Sequence, residues 1–190
     1  MNAGLTQEQV DAHNALVDKG FTKMNKYLRV GIQKPVPRWN LVARRRLHLG
    51  TQCYKKAVEI IPENPSTMAV LGKAYQRLGK MEEAFAWLSR AFEIAPEDAE
   101  IGLEAGVAAL RLGQSYHAVR FLEAAILHLN GSDNFSYLAL AYLLAGQDGK
   151  ARETAEKAVN FDSNRGFAEM TRNLIHGVIL GVVNRPKQVA

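Results

Sequence analysis

Apolar residues recur along this chain at intervals of three and four, which is the period of an amphipathic α-helix. The pattern stops and restarts at intervals, with a glycine about midway in each of several successive segments. A glycine at such a point is typical of a helix end, because it tolerates the positive φ that closes many helices. The pattern predicts an all-α protein built from short helices.

The helical pattern also repeats along the chain. From Leu71 it reads LGKAYQRLGKMEEAFAWLSRAFEIAPED, a similar segment begins 34 residues later, and a third follows after 33 more. Each copy predicts two antiparallel helices that must stack on neighbouring copies to bury their apolar faces. Small residues are expected to let the two helices of each pair approach closely, and larger ones to fill the space beside them. The small residues are Gly72, Ala84, Gly106, Ala118, Ala139 and Ala151, the larger ones are Tyr75, Leu88, Leu122 and Tyr142, and the midpoint glycines are Gly79, Gly113 and Gly146.

This spacing of small, aromatic and proline residues resembles that of tetratricopeptide repeats over about residues 65–163, with a fragment of an earlier copy at 54–62. The resemblance implies an α-solenoid of antiparallel helix pairs wound into a right-handed superhelix. It also implies that the first helix of each pair lines an inner surface, which binds peptides or helices of partner proteins.

The sequence divides into four parts. Residues 1–38 hold an amphipathic helix, expected over about 6–28, and a linker with two prolines, whereas residues 39–64 form a degenerate repeat or one long helix. We favour one long helix, because Arg45 stands where a midpoint glycine would belong. Residues 65–163 form the three repeats. Residues 164–190 hold a capping helix, expected over about 166–183, and a tail.

A partner-binding groove is expected on the face of each first helix that packing within the pair does not use. This surface is basic and polar at its start and apolar beyond, which suits an apolar or amphipathic segment. Family members that hold a terminal carboxylate use polar residues where this chain has Leu103 and Val107, so we do not expect that ligand. The groove residues are Lys73, Gln76, Arg77, Leu103, Val107, Leu110, Arg111, Ser136, Leu140 and Leu143.

The function expected from this surface is that of a scaffold or adaptor that binds another protein. The alternative is a dedicated chaperone for an apolar secreted protein, similar to bacterial secretion chaperones, although those tend to be acidic and this chain carries a net charge of +5. The helix over 6–28 filling the groove is a further hypothesis. So is a homodimer through the C-terminal helix, with contacts at Ile175, Val178, Ile179 and Val182.

The positive charge lies mainly near the N-terminus. Residues 1–61 hold 11 Lys or Arg against 4 Asp or Glu, whereas the rest of the chain holds 13 against 15. Three successive arginines, Arg44, Arg45 and Arg46, span about 200° of a helix and must largely face water or a partner. We favour a solvated face, with an acidic protein segment as the alternative. Nucleic acid is not expected, because no recognised nucleic-acid motif accompanies these arginines.

Catalysis, cofactors and metals are not expected, because no phosphate-binding loop, HExxH, CxxC or GxSxG motif occurs. Cys53 is the one cysteine and is expected to be a small buried group. The N-terminus does not read as a secretory signal, so a cytoplasmic location is expected. The most apolar stretch, residues 174–183, is ten residues long and falls short of the roughly 20 that a membrane-spanning helix needs.

Overall fold

The computed structural model describes residues 4–28, 41–161 and 166–189, and within these ranges it contains nine α-helices and no strand. The all-α prediction is confirmed. The helices are α1 Gln7–Leu28, α2 Leu41–Ile60, α3 Pro65–Arg77, α4 Met81–Ile94, α5 Ala99–Arg111, α6 Ser115–Ile126, α7 Ser132–Leu144, α8 Asp148–Phe161 and α9 Gly166–Ile179.

The chain forms two compact units, one up to Ile94 with α1–α4 and one from Ala95 onward with α5–α9. The boundary falls inside the repeat block 65–163, and the domain limits drawn from the sequence remain predictions. Each unit is built from packed helix pairs, α1 with α2 and α3 with α4 in the first, and α5 with α6 and α7 with α8 in the second. The last helix, α9, packs on both α7 and α8.

In the first unit, α1 and α2 form an antiparallel pair that two glycines bring close together. A Cβ added at Gly20 would lie 2.6 Å from the Tyr54 ring, and one at Gly50 would lie 2.5 Å from the Met24 Sδ. The single helix favoured for this region is what the structure has, because α2 continues through Gly50 without a break. Among the apolar residues of α1, Met24 is buried, but Phe21 is exposed.

Helix α3 begins where its sequence supplies a cap. The Asn64 side chain accepts a hydrogen bond of 2.9 Å from the Thr67 backbone N–H, and Pro65 takes the first helical position, where no N–H is needed. The Thr67 hydroxyl also lies 3.2 Å from Nε2 of the buried His13 of α1. This contact ties α1 to the start of α3.

In the second unit, α5 begins at Asp98, whose carboxylate accepts hydrogen bonds from the Glu100 and Ile101 backbone N–H groups at 3.0 and 3.1 Å. The midpoint glycines of both units have the conformation that the repeat pattern predicts. Gly79, Gly113 and Gly146 have φ of 74°, 70° and 74°.

The C-terminal helix is shorter than the sequence suggests. Its apolar pattern predicts a helix to Val183, which is wrong, since α9 ends at Ile179. Gly181 takes φ 72°, and the Val182 N–H turns back to the Gly177 carbonyl at 2.9 Å. This left-handed glycine closes the helix and sends residues 182–189 in a new direction. The predicted buried position of Cys53 in α2 is confirmed.

In the first two repeats, a glycine of the first helix determines how closely the two helices of the pair approach. This role can be tested at Gly106 in the second unit. A Cβ at Gly106 would lie 2.5 Å from Leu122 Cγ, whereas one at Gly149 would meet nothing within 4 Å. We expect Gly106→Ala to lower the free energy of unfolding by about 1–2 kcal/mol, because the leucine must move. Gly149→Ala should raise it by about 0.5 kcal/mol. Urea unfolding followed by circular dichroism measures both, and equal effects would contradict this account.

Alkaline pH tests the packing of the first unit. Burial, then the charges of Asp18 and Cys53, raises the pKa of Tyr54 to about 12, from 10 in the unfolded chain. Its contribution to stability is therefore complete below pH 10 and is lost as the pH rises through 12. Urea unfolding from pH 9 to 12 should show a steeper loss for the wild-type chain than for Tyr54→Phe. Parallel curves would mean that Tyr54 titrates normally.

Candidate functional site

The groove residues of the first unit lie on α3. Lys73, Gln76 and Arg77 are half-buried, and none of the three is without an interaction partner. They therefore do not form a free basic surface. The hypothesis that α1 fills a groove finds no support in this unit, because its buried Met24 and Tyr27 lie in a shared core with Leu47 and Tyr54 of α2.

The groove residues of the second unit fall into two groups. On α5, Leu103 and Val107 are half-buried and Arg111 is exposed, so these side chains reach the surface of the unit. Leu110, Ser136, Leu140 and Leu143 are buried, the last three on α7. The Ser136 hydroxyl is used within the helix, where it donates to the Ser132 carbonyl at 2.8 Å. Of the predicted groove residues in this unit, those that reach the surface lie on α5, whereas those on α7 are buried.

The composition of α7 contained the signal for its burial. The segment LALAYLLA around Leu140 is apolar on all sides, which is typical of a helix enclosed by others. The structure shows that enclosure, since α7 packs against α5, α6, α8 and α9. The groove residues predicted on α7, Ser136, Leu140 and Leu143, therefore lie in the core of the unit.

The three arginines of α2 lie on the surface of the first unit. Arg44, Arg45 and Arg46 are exposed, whereas Ala43 and Leu47 on either side are buried.

The dimer contact expected from α9 loses one of its residues. Ile175 is buried in the second unit and cannot contribute to such a contact. Val182 lies beyond the helix and is exposed.

A cleft of the second unit lies between α6 and the turn that joins α7 to α8. Its volume is about 420 Å³, and Tyr116, Arg120, Glu123 and Gln147 are among its lining residues. The Glu123 carboxylate accepts a hydrogen bond of 2.5 Å from the Tyr142 hydroxyl. Burial and then this hydrogen bond raise the pKa of Tyr142, so the hydroxyl keeps its proton and the contact is structural.

Sequence reasoning did not identify the C-terminal segment, residues 181–189, as part of a site. Arg185 Nη2 lies 2.7 and 3.0 Å from the two carboxylate oxygens of Asp148, and Nη1 donates to the Leu143 carbonyl. The Val189 N–H donates to the Leu110 carbonyl at 3.1 Å. The segment thus follows the C-terminal ends of α5 and α7. A lone Arg in a polar tail carries no periodic signal from which this placement could have been read.

A sequence profile described as tetratricopeptide repeat matches residues 65–98, which correspond to α3 and α4 and the turn after them. The same pattern returns at 34 and 33 residues, and each return forms a helix pair with a left-handed midpoint glycine. Residues 65–98 are a tetratricopeptide repeat, and the two helix pairs that follow repeat its arrangement. No curated protein sequence matches the chain.

Solved structures share this fold. A crystal structure of MamA is 22% identical, with a TM-score of 0.73 over 91% of this chain and 85% of that one. The pilF protein of Pseudomonas aeruginosa is 17% identical, with a TM-score of 0.63 over 92% and 71%. YrrB, described as a TPR protein with an unusual peptide-binding site, is 19% identical, with a TM-score of 0.61 over 87% and 85%. At these identities the likeness concerns the fold.

Two further observations concern the part of the chain that the structure describes. None of its helices combines the length and apolar character needed to cross a membrane. Its His, Cys, Asp and Glu side chains nowhere gather in a group of three that could hold a metal ion.

The burial of α7 can be tested against the surface position of α5. Leu140→Glu should lower the free energy of unfolding by more than about 4 kcal/mol, because it places a charge in an apolar core. Val107→Glu, one repeat earlier at the equivalent position, should cost about 1 kcal/mol or less. Urea unfolding compares the two variants. A small effect of Leu140→Glu would show that α7 is open to solvent.

Proposed function

We propose that this protein is an interaction scaffold without enzymatic activity that binds a peptide or helix of a partner protein. The observation that supports this most directly is the α5 face, Leu103 and Val107, which lie four residues apart on one side of the helix and are only half-buried. Apolar side chains at this spacing suit an aliphatic or amphipathic partner segment. The cytoplasmic location expected from the sequence stays a prediction.

The comparison with YrrB supports the same class of function. That protein is described as binding a peptide, and it has the fold of this chain. Function inferred from fold alone rests on analogy, so the α5 face itself is the main support for the proposal. Because this face is apolar, contact area rather than charge would supply most of the affinity, and exposed Arg111 at its end would favour an acidic residue in the partner.

The test is capture of the partner from native cells by the tagged chain and by two charge variants. Leu103→Glu with Val107→Glu should reduce the captured partner at least tenfold, since each apolar contact at the centre of an interface contributes about 1–2 kcal/mol. The matched control is Leu127→Glu with Met170→Glu, which adds the same charges to the same unit at residues that are already 73% and 71% exposed. Circular dichroism checks that both variants fold.

The outcome separates the possible functions. Loss of a partner only in the α5 variant supports the scaffold, and cross-linking then identifies the bound segment. If that partner is an apolar secreted protein that aggregates without this chain, the function is the dedicated chaperone. Equal capture by all three chains would show that the α5 face is not the binding surface.

A further inference from the structure

The C-terminal segment makes polar contacts at equivalent places in two successive repeats. Leu110 and Leu143 stand 33 residues apart, each in the last turn of a first helix, and each carbonyl accepts a hydrogen bond from its midpoint glycine, Gly113 at 3.1 Å and Gly146 at 3.0 Å. A carbonyl oxygen has two lone pairs. The segment supplies the second donor to both, from the Val189 N–H to Leu110 and from the Arg185 guanidinium to Leu143.

Arg185 is held in a way that selects arginine over lysine. Its guanidinium reaches both carboxylate oxygens of Asp148 at 2.7 and 3.0 Å and the Leu143 carbonyl as well. A planar group with several N–H donors can make these contacts together, whereas an ammonium group acts as a single point charge. The C-terminal carbonyls of α7 add the negative end of a helix dipole, which favours a cation at this place.

Gly113 leaves room for the backbone of the segment. A Cβ added there would lie 2.5 Å from the Lys187 carbonyl oxygen. The midpoint glycines Gly79 and Gly146 have the same left-handed φ, but a Cβ at either would meet nothing within 4 Å. Gly113 therefore serves two purposes, since it forms the turn and permits the close approach of the C-terminal segment.

The segment is held at few points and remains largely on the surface. Residues 181–185, 187 and 188 are exposed, and the Arg185 and Asp148 side chains are 36% and 39% exposed. Ion pairs at such exposure contribute little to stability. The segment keeps its place mainly because its tether to α9 gives it a high effective concentration at the site. A separate segment with the same contacts can compete with it.

We propose that the Leu110 and Leu143 carbonyls and the Asp148 carboxylate form a binding site for a non-helical protein segment that carries an arginine, and that the C-terminal segment occupies this site until such a partner displaces it. The partner presents a backbone N–H four residues after its arginine, as Val189 does after Arg185. The inference rests on the proposed scaffold function but uses other residues than the α5 face.

The test measures binding of a labelled peptide with the sequence of residues 181–190 by fluorescence anisotropy. The full chain carrying Arg185→Gln, which frees the site, should bind this peptide at least tenfold more tightly than the wild-type chain does. The same peptide with glutamine in place of its arginine should bind at least tenfold more weakly. Adding Asp148→Asn to the Arg185→Gln chain should abolish the gain in affinity for the peptide. Equal affinity of the two chains, or of the two peptides, would overturn the proposal.

A second measurement follows the segment in the intact chain without a peptide. Gly113→Ala should speed hydrogen exchange of the Val189 amide at least fivefold over Gly146→Ala, because both impose the same strained φ but only the first obstructs the segment. Equal exchange rates would overturn the placement. Concentration-dependent self-association that Arg185→Gln abolishes would also overturn it, because the segment would then bind a second copy.

These results are separable from those on the α5 face. A chain that loses its partner through Leu103→Glu and Val107→Glu but does not bind the peptide remains a scaffold, and only the arginine site is disproved. The opposite outcome is peptide binding that depends on Asp148 and partner capture that the α5 substitutions leave unchanged. This outcome would support the arginine site and disprove the proposed α5 surface.

Discussion

The close approach of two helices at a glycine is the contact on which the rest of this structure depends. Gly72 lies against Leu88 in α3 and α4, and Gly106 lies against Leu122 in α5 and α6, with an added Cβ at 2.5 Å from the leucine Cγ in both pairs. By register, Ala139 and Ala155 take these two places in the third pair. There a methyl group on one helix replaces part of the volume that the leucine supplies on the other.

The stacking of helix pairs determines which side chains of the second unit remain partly exposed. The second unit encloses α7 between α5, α6, α8 and α9, so its apolar residues become core. Helix α5 keeps Leu103 and Val107 partly open to solvent. Equivalent repeat positions thus have different roles, because a position's exposure depends on how many helices pack around it and not on its place in the repeat.

The second unit also places the chain's own C-terminal segment on the ends of α5 and α7. The left-handed Gly181 ends α9 and redirects the chain, and three anchors then hold it at Leu110, Leu143 and Asp148. Turns with a repeated geometry present carbonyl oxygens at repeated spacing, and one non-helical segment can donate hydrogen bonds to two of them in succession. The repeat architecture thereby supplies a polar site beside the apolar face of α5.

By itself the sequence determined the helical class, the repeat period and the turns. Helix ends and the contacts within one helix pair depend on glycines and small residues that lie close together in the sequence, so their 34-residue spacing can be recognised there. It predicted α2 as one helix, since Arg45 offers no turn, and it identified the three midpoint glycines at positive φ. It placed the end of α9 too late, because apolar residues continue past Gly181. Only the tertiary structure decided that Leu140 is buried while Val107 is not, and that Arg185 meets Asp148, because burial and contacts between residues 37 positions apart depend on how complete pairs stack.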